Sequence, residues 1–328
     1  PAPIPLIGAD AEFETKAIAA WFELRKEIMP GLRGNVGARV SHDEKSFEET
    51  ATTLGPRKND LSESWTDFPA KAGLSYDVSD DRVVYASVAS GFKSGGYNVN
   101  QGAQSESYDP ERVVTYETGV KMISSDRKVR ANFGYFFSDY RDVQLANIEA
   151  AVVKVINASD ATIHGIEADV EWQISRGLRV QAAGAWLDAT FNSLRQVDIS
   201  QPQLGVQDLS GNNLPQAPEF ATHLGVEWDL LAHQKGSDGL LLRCDYSWQD
   251  EVYYDQYNRP GVGEGSYGIV DASLTWIKGV WEYSVFGRNI TDEEVANNAL
   301  VSSSLAGFPI RKFYVGPARY GVSFTRHF

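Results

Sequence analysis

The sequence predicts an all-β fold, an antiparallel transmembrane β-barrel of which about thirteen strands can be counted. Three observations predict it. Apolar and polar residues alternate with period two in segments of about ten residues, longer than the five or six usual in soluble sheets. Short connections alternate with long ones along the chain. No window holds the roughly 18 uninterrupted apolar residues that a membrane helix needs.

The segments follow in order. Leu32, Val36, Ala38 and Val40 alternate with Arg33, Asn35, Arg39 and Ser41. Val129, Ala131, Phe133, Tyr135 and Phe137 alternate with Arg130, Asn132, Gly134 and Ser138. Ile166, Ala168, Val170 and Trp172 stand against Glu167, Asp169 and Glu171. The pattern recurs at Phe220, Leu224, Val226 and Trp228, at Leu240, Leu242, Cys244, Tyr246 and Trp248, and at Val270, Ala272, Leu274 and Trp276. A last strand runs from Arg319 to Phe328. Each segment thus has one oily and one wet face.

Two arrangements give such alternation: a sandwich with its apolar face inward, and a membrane barrel with that face toward lipid. The connections favour the barrel. Short turns are expected at Lys26 to Gly31, Val78 to Asp81, Ser124 to Arg127, Ser175 to Gly177 and Lys278 to Gly279, with a longer one near Leu231 to Gly239. Between them fall long connections at Asp43 to Ser64, Lys93 to Glu111, Asn192 to Asn213, Glu251 to Ser266 and Thr291 to Val315, and a modest one at Asn147 to Val152. Bacterial outer-membrane barrels pair short periplasmic turns with long extracellular loops in this way. Trp21, Tyr76, Trp172, Trp186, Trp228, Trp248, Trp276 and Trp281 are expected near segment ends, in interfacial girdles.

Composition narrows the function. Thirty Lys and Arg against 44 Asp and Glu leave a net charge of −14, so a phosphate-tracking nucleic-acid protein is excluded. The single cysteine permits no internal disulfide. The opening residues PAPIPLIGADAEFE carry no initiator Met, basic region or apolar leader, and the chain reads as a piece of a longer one.

The strings VVYASVASGFKSGGYN (83–98), ERVVTYETGVK (111–121), RANFGYFFSDYRDVQ (130–144), INASDATIHGIEADVEW (156–172), LPQAPEF (214–220), FGRNITDEE (286–294) and the terminal PARYGVSFTRHF resemble the TonB-dependent outer-membrane receptors in order and spacing. The resemblance implies the C-terminal part of a 22-stranded barrel, at residues 15–328, with residues 1–14 a remnant of an extracellular loop and no plug domain in this chain. Counting back thirteen strands makes the first one strand ten, a downward strand, and an odd count requires strands that precede it. The resemblance further implies a bacterial outer-membrane receptor for active, TonB-dependent uptake of a large scarce nutrient, foremost a ferric siderophore. The partners it implies are that chelate, outer-membrane lipid and the TonB complex reached through the plug, with a monomeric barrel at full length and no cofactor.

In a barrel, Arg33, Asn35, Arg39, Lys71, Glu117, Lys121, Arg130, Asn132, Glu167, Asp169, Gln181 and Arg243 are expected to face the lumen. Ligand contacts are expected on the loops. EVYYDQYNRPG sets Tyr253, Tyr254, Tyr257 and Arg259 on a flexible loop, where rigid aromatics beside a cation suit a planar anionic chelate. Phe92, Lys93 and Tyr97, and Arg311, Phe313 and Tyr314 with Phe308 and Lys312, form the other candidate sets; all could equally serve the upper aromatic belt. His42, His164, His223, His233 and His327 have no metal-ligand spacing. Two acidic groups, Asp43, Glu44, Glu48 and Glu49, and Asp245, Asp250, Glu251 and Asp255, could offer Ca²⁺ oxygen ligands or merely solvated loops. No nucleophile elbow or phosphate loop occurs, so an enzyme is not expected. A passive porin or adhesin-like barrel and a soluble β-sandwich binding module are the alternatives.

Overall fold

The computed structural model describes residues 9–51, 57–98, 106–149, 152–198, 200–232, 238–301 and 307–328. In chain order its strands are β1 (Ala9–Met29), β2 (Leu32–Ala51), β3 (Arg57–Asp67), β4 (Ala70–Ser79), β5 (Arg82–Lys93), β6 (Gly96–Tyr97), β7 (Ser107–Tyr108), β8 (Glu111–Ile123), β9 (Val129–Glu149), β10 (Val152–Gln173) and β11 (Leu178–Phe191). There follow β12 (Arg195–Val197), β13 (Val206–Asp208), β14 (Phe220–Asp229), β15 (Gly239–Gln249), β16 (Val252–Tyr253), β17 (Gly263–Glu264), β18 (Tyr267–Lys278), β19 (Trp281–Arg288), β20 (Ala296–Val301), β21 (Ile310–Tyr314) and β22 (Arg319–Arg326). His233 lies outside the described residues.

One antiparallel path, β1-β2-β4-β5-β8-β9-β10-β11-β14-β15-β18-β19-β22, makes the wall, and β3 pairs with β2 beside it. The thirteen strands of that path match the count made from the alternation. β1 and β22 end the path, so the described wall is a partial barrel. Consecutive wall strands are neighbours throughout, as a meander of hairpins requires. The tight turns use residues that tolerate positive φ. Gly31 has φ 79° after β1, and Gly279 has φ 58° after β18.

Cross-strand register puts like with like. Val170 stands between Ala131 and Ala182, Ala182 meets Leu224, Leu224 meets Tyr246, and Tyr246 meets Val270. These side chains form no internal core. Phe133 is 48%, Val170 40%, Leu274 37% and Val285 52% exposed. That exposure excludes the soluble sandwich, where such residues would be dry. In a membrane this exposed face meets acyl chains while every interior strand pairs its backbone with two neighbours.

Two rows of rings bound the apolar band. Tyr116, Phe137, His164 and Trp186 run side by side across β8 to β11 at 6.5, 6.3 and 5.5 Å. Near the short turns, Trp276, Tyr283 and Phe324 lie 5.5 and 5.8 Å apart. From His164 to Trp172, or Phe220 to Trp228, is eight steps of roughly 3.3 Å; at a tilt of about 40° that spans roughly 20 Å, close to the ~25 Å apolar band of such barrels. Trp21 departs from the expected girdle. It sits mid-strand opposite Arg39, on the face of Glu23 and Arg25, because even-numbered positions of β1 carry the apolar side.

The long connections are not all loops. Residues 41–51 of β2 continue past the band and pair with both β1 and β3, so much of the expected connection at Asp43 to Ser64 is hairpin. Residues 9–14 likewise belong to β1, paired with residues 46–51. The polarity inverts in this extension: Glu12, Glu14, Glu44, Glu48 and Asp60 occupy the face that is apolar lower down, and Phe13, Phe47 and Leu61 the opposite one. Once the sheet leaves lipid, its outward side is wetted and its inward side can be dry.

Candidate functional site

All twelve polar wall residues expected in the lumen lie on the face opposite the apolar band. Arg33 reaches both carboxylate oxygens of Asp77 at 2.5 Å, and Glu23 accepts from Lys71 at 2.9 Å and Arg25 at 2.6 Å. Tyr85 donates to Glu117 at 2.6 Å, and Lys121 lies 5.3 Å over the Tyr85 ring. Asn132 donates to Asp169 at 2.9 Å, and Arg39 to Ser41 Oγ at 2.7 Å. A chain of charges runs from Arg130 through Glu171 and Arg179 to Glu227 at 3.8, 3.7 and 3.0 Å. Arg243 pairs with Asp245 at 2.8 Å. Asn35 stands opposite Gly73, Glu167 opposite Gly134, and Gln181 opposite Glu171 and Gly225. Pairs this exposed add little to stability because solvent screens them; their effect is a hydrated wall whose charges largely neutralise one another.

The well-packed cores lie at the end of the long connections. In one, Phe47 stacks on Tyr97 at 5.6 Å, with Phe13 and Trp65 at 4.8 and 6.3 Å from them. Tyr97 is 7% exposed and donates to Lys45 O at 3.2 Å, while Lys45 donates to Gly95 O at 2.6 Å. Gly95 is required there, since a Cβ would collide with Tyr108 O and the Trp65 ring. Burial raises the Tyr97 pKa. The connection from β5 to β8 is therefore folded over the inner side of the β1–β3 extension, and Asn98 ties it to Val155 of β10 at 2.8 Å.

In the other core, Val143, Ala161, Phe191, Leu194 and Leu209 pack with Tyr257. Tyr257 donates to Val197 O at 3.0 Å and lies 4.8 Å under the Arg259 guanidinium. Arg259 donates to Asp198 at 2.8 Å, Ser200 Oγ at 2.9 Å and Asp255 at 2.7 Å. Tyr254 donates to Ala296 O at 2.5 Å. Burial pushes the Tyr254 and Tyr257 phenols up to about 12. The loop expected to be flexible is in fact locked: three connections, 192–219, 250–266 and 289–318, share these bonds. Asp198 and Asp255 escaped the sequence reading as partners. Asp198 lies some sixty positions from Arg259 and carries no local signal, although Asp255 lies at i−4.

The candidates therefore divide. Tyr97, Tyr254, Tyr257 and Arg259 have their polar atoms engaged in holding the mouth together, and Tyr253 sits in the short β16–β17 ladder opposite Gly263. Phe92 lies at the end of β5 on the outward side opposite Arg112, and Lys93 is opposite Glu111. On the β20–β21 hairpin, Lys312 turns in to Gly263 O at 2.8 Å; Arg311 and Phe313, on the opposite face of the strand, are exposed, the latter at 49%, and Tyr314, on the face of Lys312, is 53% exposed. Of the acidic groups, Asp245 is a wall residue paired with Arg243, and Asp255 is held by Arg259, which withdraws the second as a loop calcium set. Among the described residues no three His, Cys, Asp or Glu side chains gather to hold a metal ion.

A family model for the TonB dependent receptor-like β-barrel matches residues 2–290. The pesticin receptor of Yersinia pestis is 24% identical over 276 residues, covering 83% of this chain and 38% of that protein. Among solved structures, the ferric yersiniabactin uptake receptor FyuA of Yersinia pestis superposes with a TM-score of 0.84 at 20% identity, over 98% of this chain and 47% of its own. The siderophore receptor PiuA of Acinetobacter baumannii does so with 0.77 at 17%, over 97% and 44%. The chain thus spans less than half the length of these relatives.

Proposed function

Since the chain belongs to the TonB-dependent receptors and so to the outer membrane, we propose that it forms the C-terminal wall and mouth of a transporter for active uptake of a ferric siderophore or a similar scarce chelate. The observation that carries this reading is the pairing of a lipid-facing apolar band with a hydrated, charge-lined inner face beneath a mouth of interlocked connections. Such a wall needs an internal stopper and an energy source, which in this family are supplied by the plug domain and by the separate TonB complex that engages it. Names of the relatives support the cargo class: FyuA takes up ferric yersiniabactin, and PiuA is a siderophore receptor.

Within the mouth, Arg311, Phe313 and Tyr314 are assigned to ligand contact. They combine a cation that makes no ion pair among the described residues with exposed aromatic faces, the chemistry a planar anionic chelate requires. The remaining candidates frame the mouth. Full-length receptor expressed in an iron-starved host lacking its own receptors provides the test. Uptake of ⁵⁵Fe-labelled siderophores that stops on removing TonB supports the proposal; uptake that survives without TonB would indicate a passive pore. Replacing Arg311 by Ala removes a charge-assisted contact of about 1.5–3 kcal/mol, so ligand affinity should fall roughly 10- to 150-fold.

A further inference from the structure

We propose that Glu264 is a positioning residue: from β17 it holds the β20–β21 hairpin in the orientation that presents Arg311 and Phe313 to the ligand. The inference rests on the assignment of those two side chains to ligand contact. Alternation gives the hairpin two faces. Leu300 pairs with Arg311 and Asn298 with Phe313 on one face, while Ala299 pairs with Lys312 on the other. The second face lies on the connection at 250–266. Ala296 and Ala299 are 0% and 2% exposed, and Val262 in the turn at 260–262 is 0% exposed. That turn comes close because Gly261 has no side chain: a Cβ there would sit 3.0 Å from Ile310 Cδ1.

The connection grips the hairpin with side chains. At the register shift between Ala296 and Asn298, both peptide groups of Ala296 are taken: its N–H donates to Glu264 Oε2 at 3.0 Å, and its carbonyl accepts from the Tyr254 hydroxyl at 2.5 Å. Lys312 Nζ donates to Gly263 O at 2.8 Å and stands 3.6 Å from the same Glu264 Oε2. One carboxylate oxygen thus gathers both strands of the hairpin, β20 through a backbone N–H and β21 through an ammonium. Drawing Lys312 inward turns its neighbour Arg311 the other way. Without Glu264 the buried Ala296 N–H has no acceptor, which costs more than the bond's own net worth, and Lys312 keeps only Gly263 O. Every one of these bonds joins two connections of this chain, so the grip does not depend on strands beyond β1.

The test is a double-mutant cycle on the full-length receptor in detergent, with ferric yersiniabactin, the chelate in the name of FyuA, as the binding probe. Hydrogen exchange at 296–301 and 310–314, which needs no ligand, is read in parallel. Glu264→Ala should speed exchange in both strands roughly tenfold and weaken binding roughly tenfold. Glu264→Gln keeps an acceptor for the Ala296 N–H and should stay within about threefold of the wild type in both measurements. Once Arg311 is replaced by Ala, adding Glu264→Ala should weaken binding by less than about twofold, because a residue that acts through Arg311 has nothing left to place. If Glu264→Ala does not assemble, as judged by heat-modifiable gel migration, Tyr254→Phe removes the other bond to Ala296 and enters the same cycle. Unchanged exchange in Glu264→Ala, or losses that multiply in the double variant, would overturn the proposal while leaving Arg311 a ligand contact. An Arg311→Ala receptor that binds as the wild type does would instead overturn the contact assignment, and this inference with it.

Discussion

Ala182 and Ala183 are adjacent, both exposed, and differ only in the direction they face. Ala182 pairs with Val170 and Leu224 on the apolar side, whereas Ala183 pairs with Asp169 and His223 on the polar side. Ala182 also lies midway between Leu178 and Trp186, so about 13 Å of strand separates it from either edge of the band. An arginine there cannot easily bring its guanidinium to water and should cost about 2 to 4 kcal/mol, the penalty at a bilayer midplane. That is roughly 30- to 700-fold in the folding constant. Ala183→Arg places the same side chain in water beside a carboxylate and should change stability by no more than about 0.5 kcal/mol. Guanidinium unfolding of the full-length receptor in lipid vesicles, followed by tryptophan emission, measures both. Equal costs for the two variants, or a larger one for Ala183→Arg, would refute the assignment of faces.

Three further outcomes follow from the same geometry. Val170→Arg, two residues from Trp172 in the lower girdle, should cost less than Ala182→Arg, falling between the midplane value and the roughly 0–1 kcal/mol found near an interface; the same unfolding assay ranks them. Arg259→Ala leaves Asp198, only 5% exposed, without its cation, and should loosen the mouth by about 2 kcal/mol, seen as faster hydrogen exchange at 195–214 and 250–266 with the barrel's gel migration unchanged. The Tyr254 and Tyr257 phenols hold their protons more tightly folded than unfolded, up to about 12 against an ordinary 10. Their contribution to loop stability should therefore be complete below pH 10 and lost as pH rises toward 12, with late-titrating phenolate absorbance as the readout.

The wall was legible because a half-buried strand imposes period two on its residues and a hairpin meander keeps neighbours adjacent in sequence. Val129 to Phe137, for example, needs no distant information to reveal its two faces. The upper extension was harder to read. Phe13, Phe47 and Leu61 keep the alternation but shift its phase, so a residue count based on apolar positions stops at the membrane boundary and reports a loop. Trp21 misled for a related reason, since residue type suggested a girdle while strand parity placed it beside Arg39. The locking of the mouth was illegible in another way. Arg259 looks like a free loop cation until the fold delivers Asp198 from another connection, after which the exposed Arg311 becomes the better candidate.

The two-faced wall can be measured most directly by nitroxide labels placed singly from Ala221 to Glu227 of β14 in the full-length receptor, with Cys244 replaced, in lipid vesicles. Collision with oxygen should peak at Thr222, Leu224 and Val226, and collision with a water-soluble nickel chelate at Ala221, His223, Gly225 and Glu227. A uniform profile, or one with the two sets exchanged, would contradict the account.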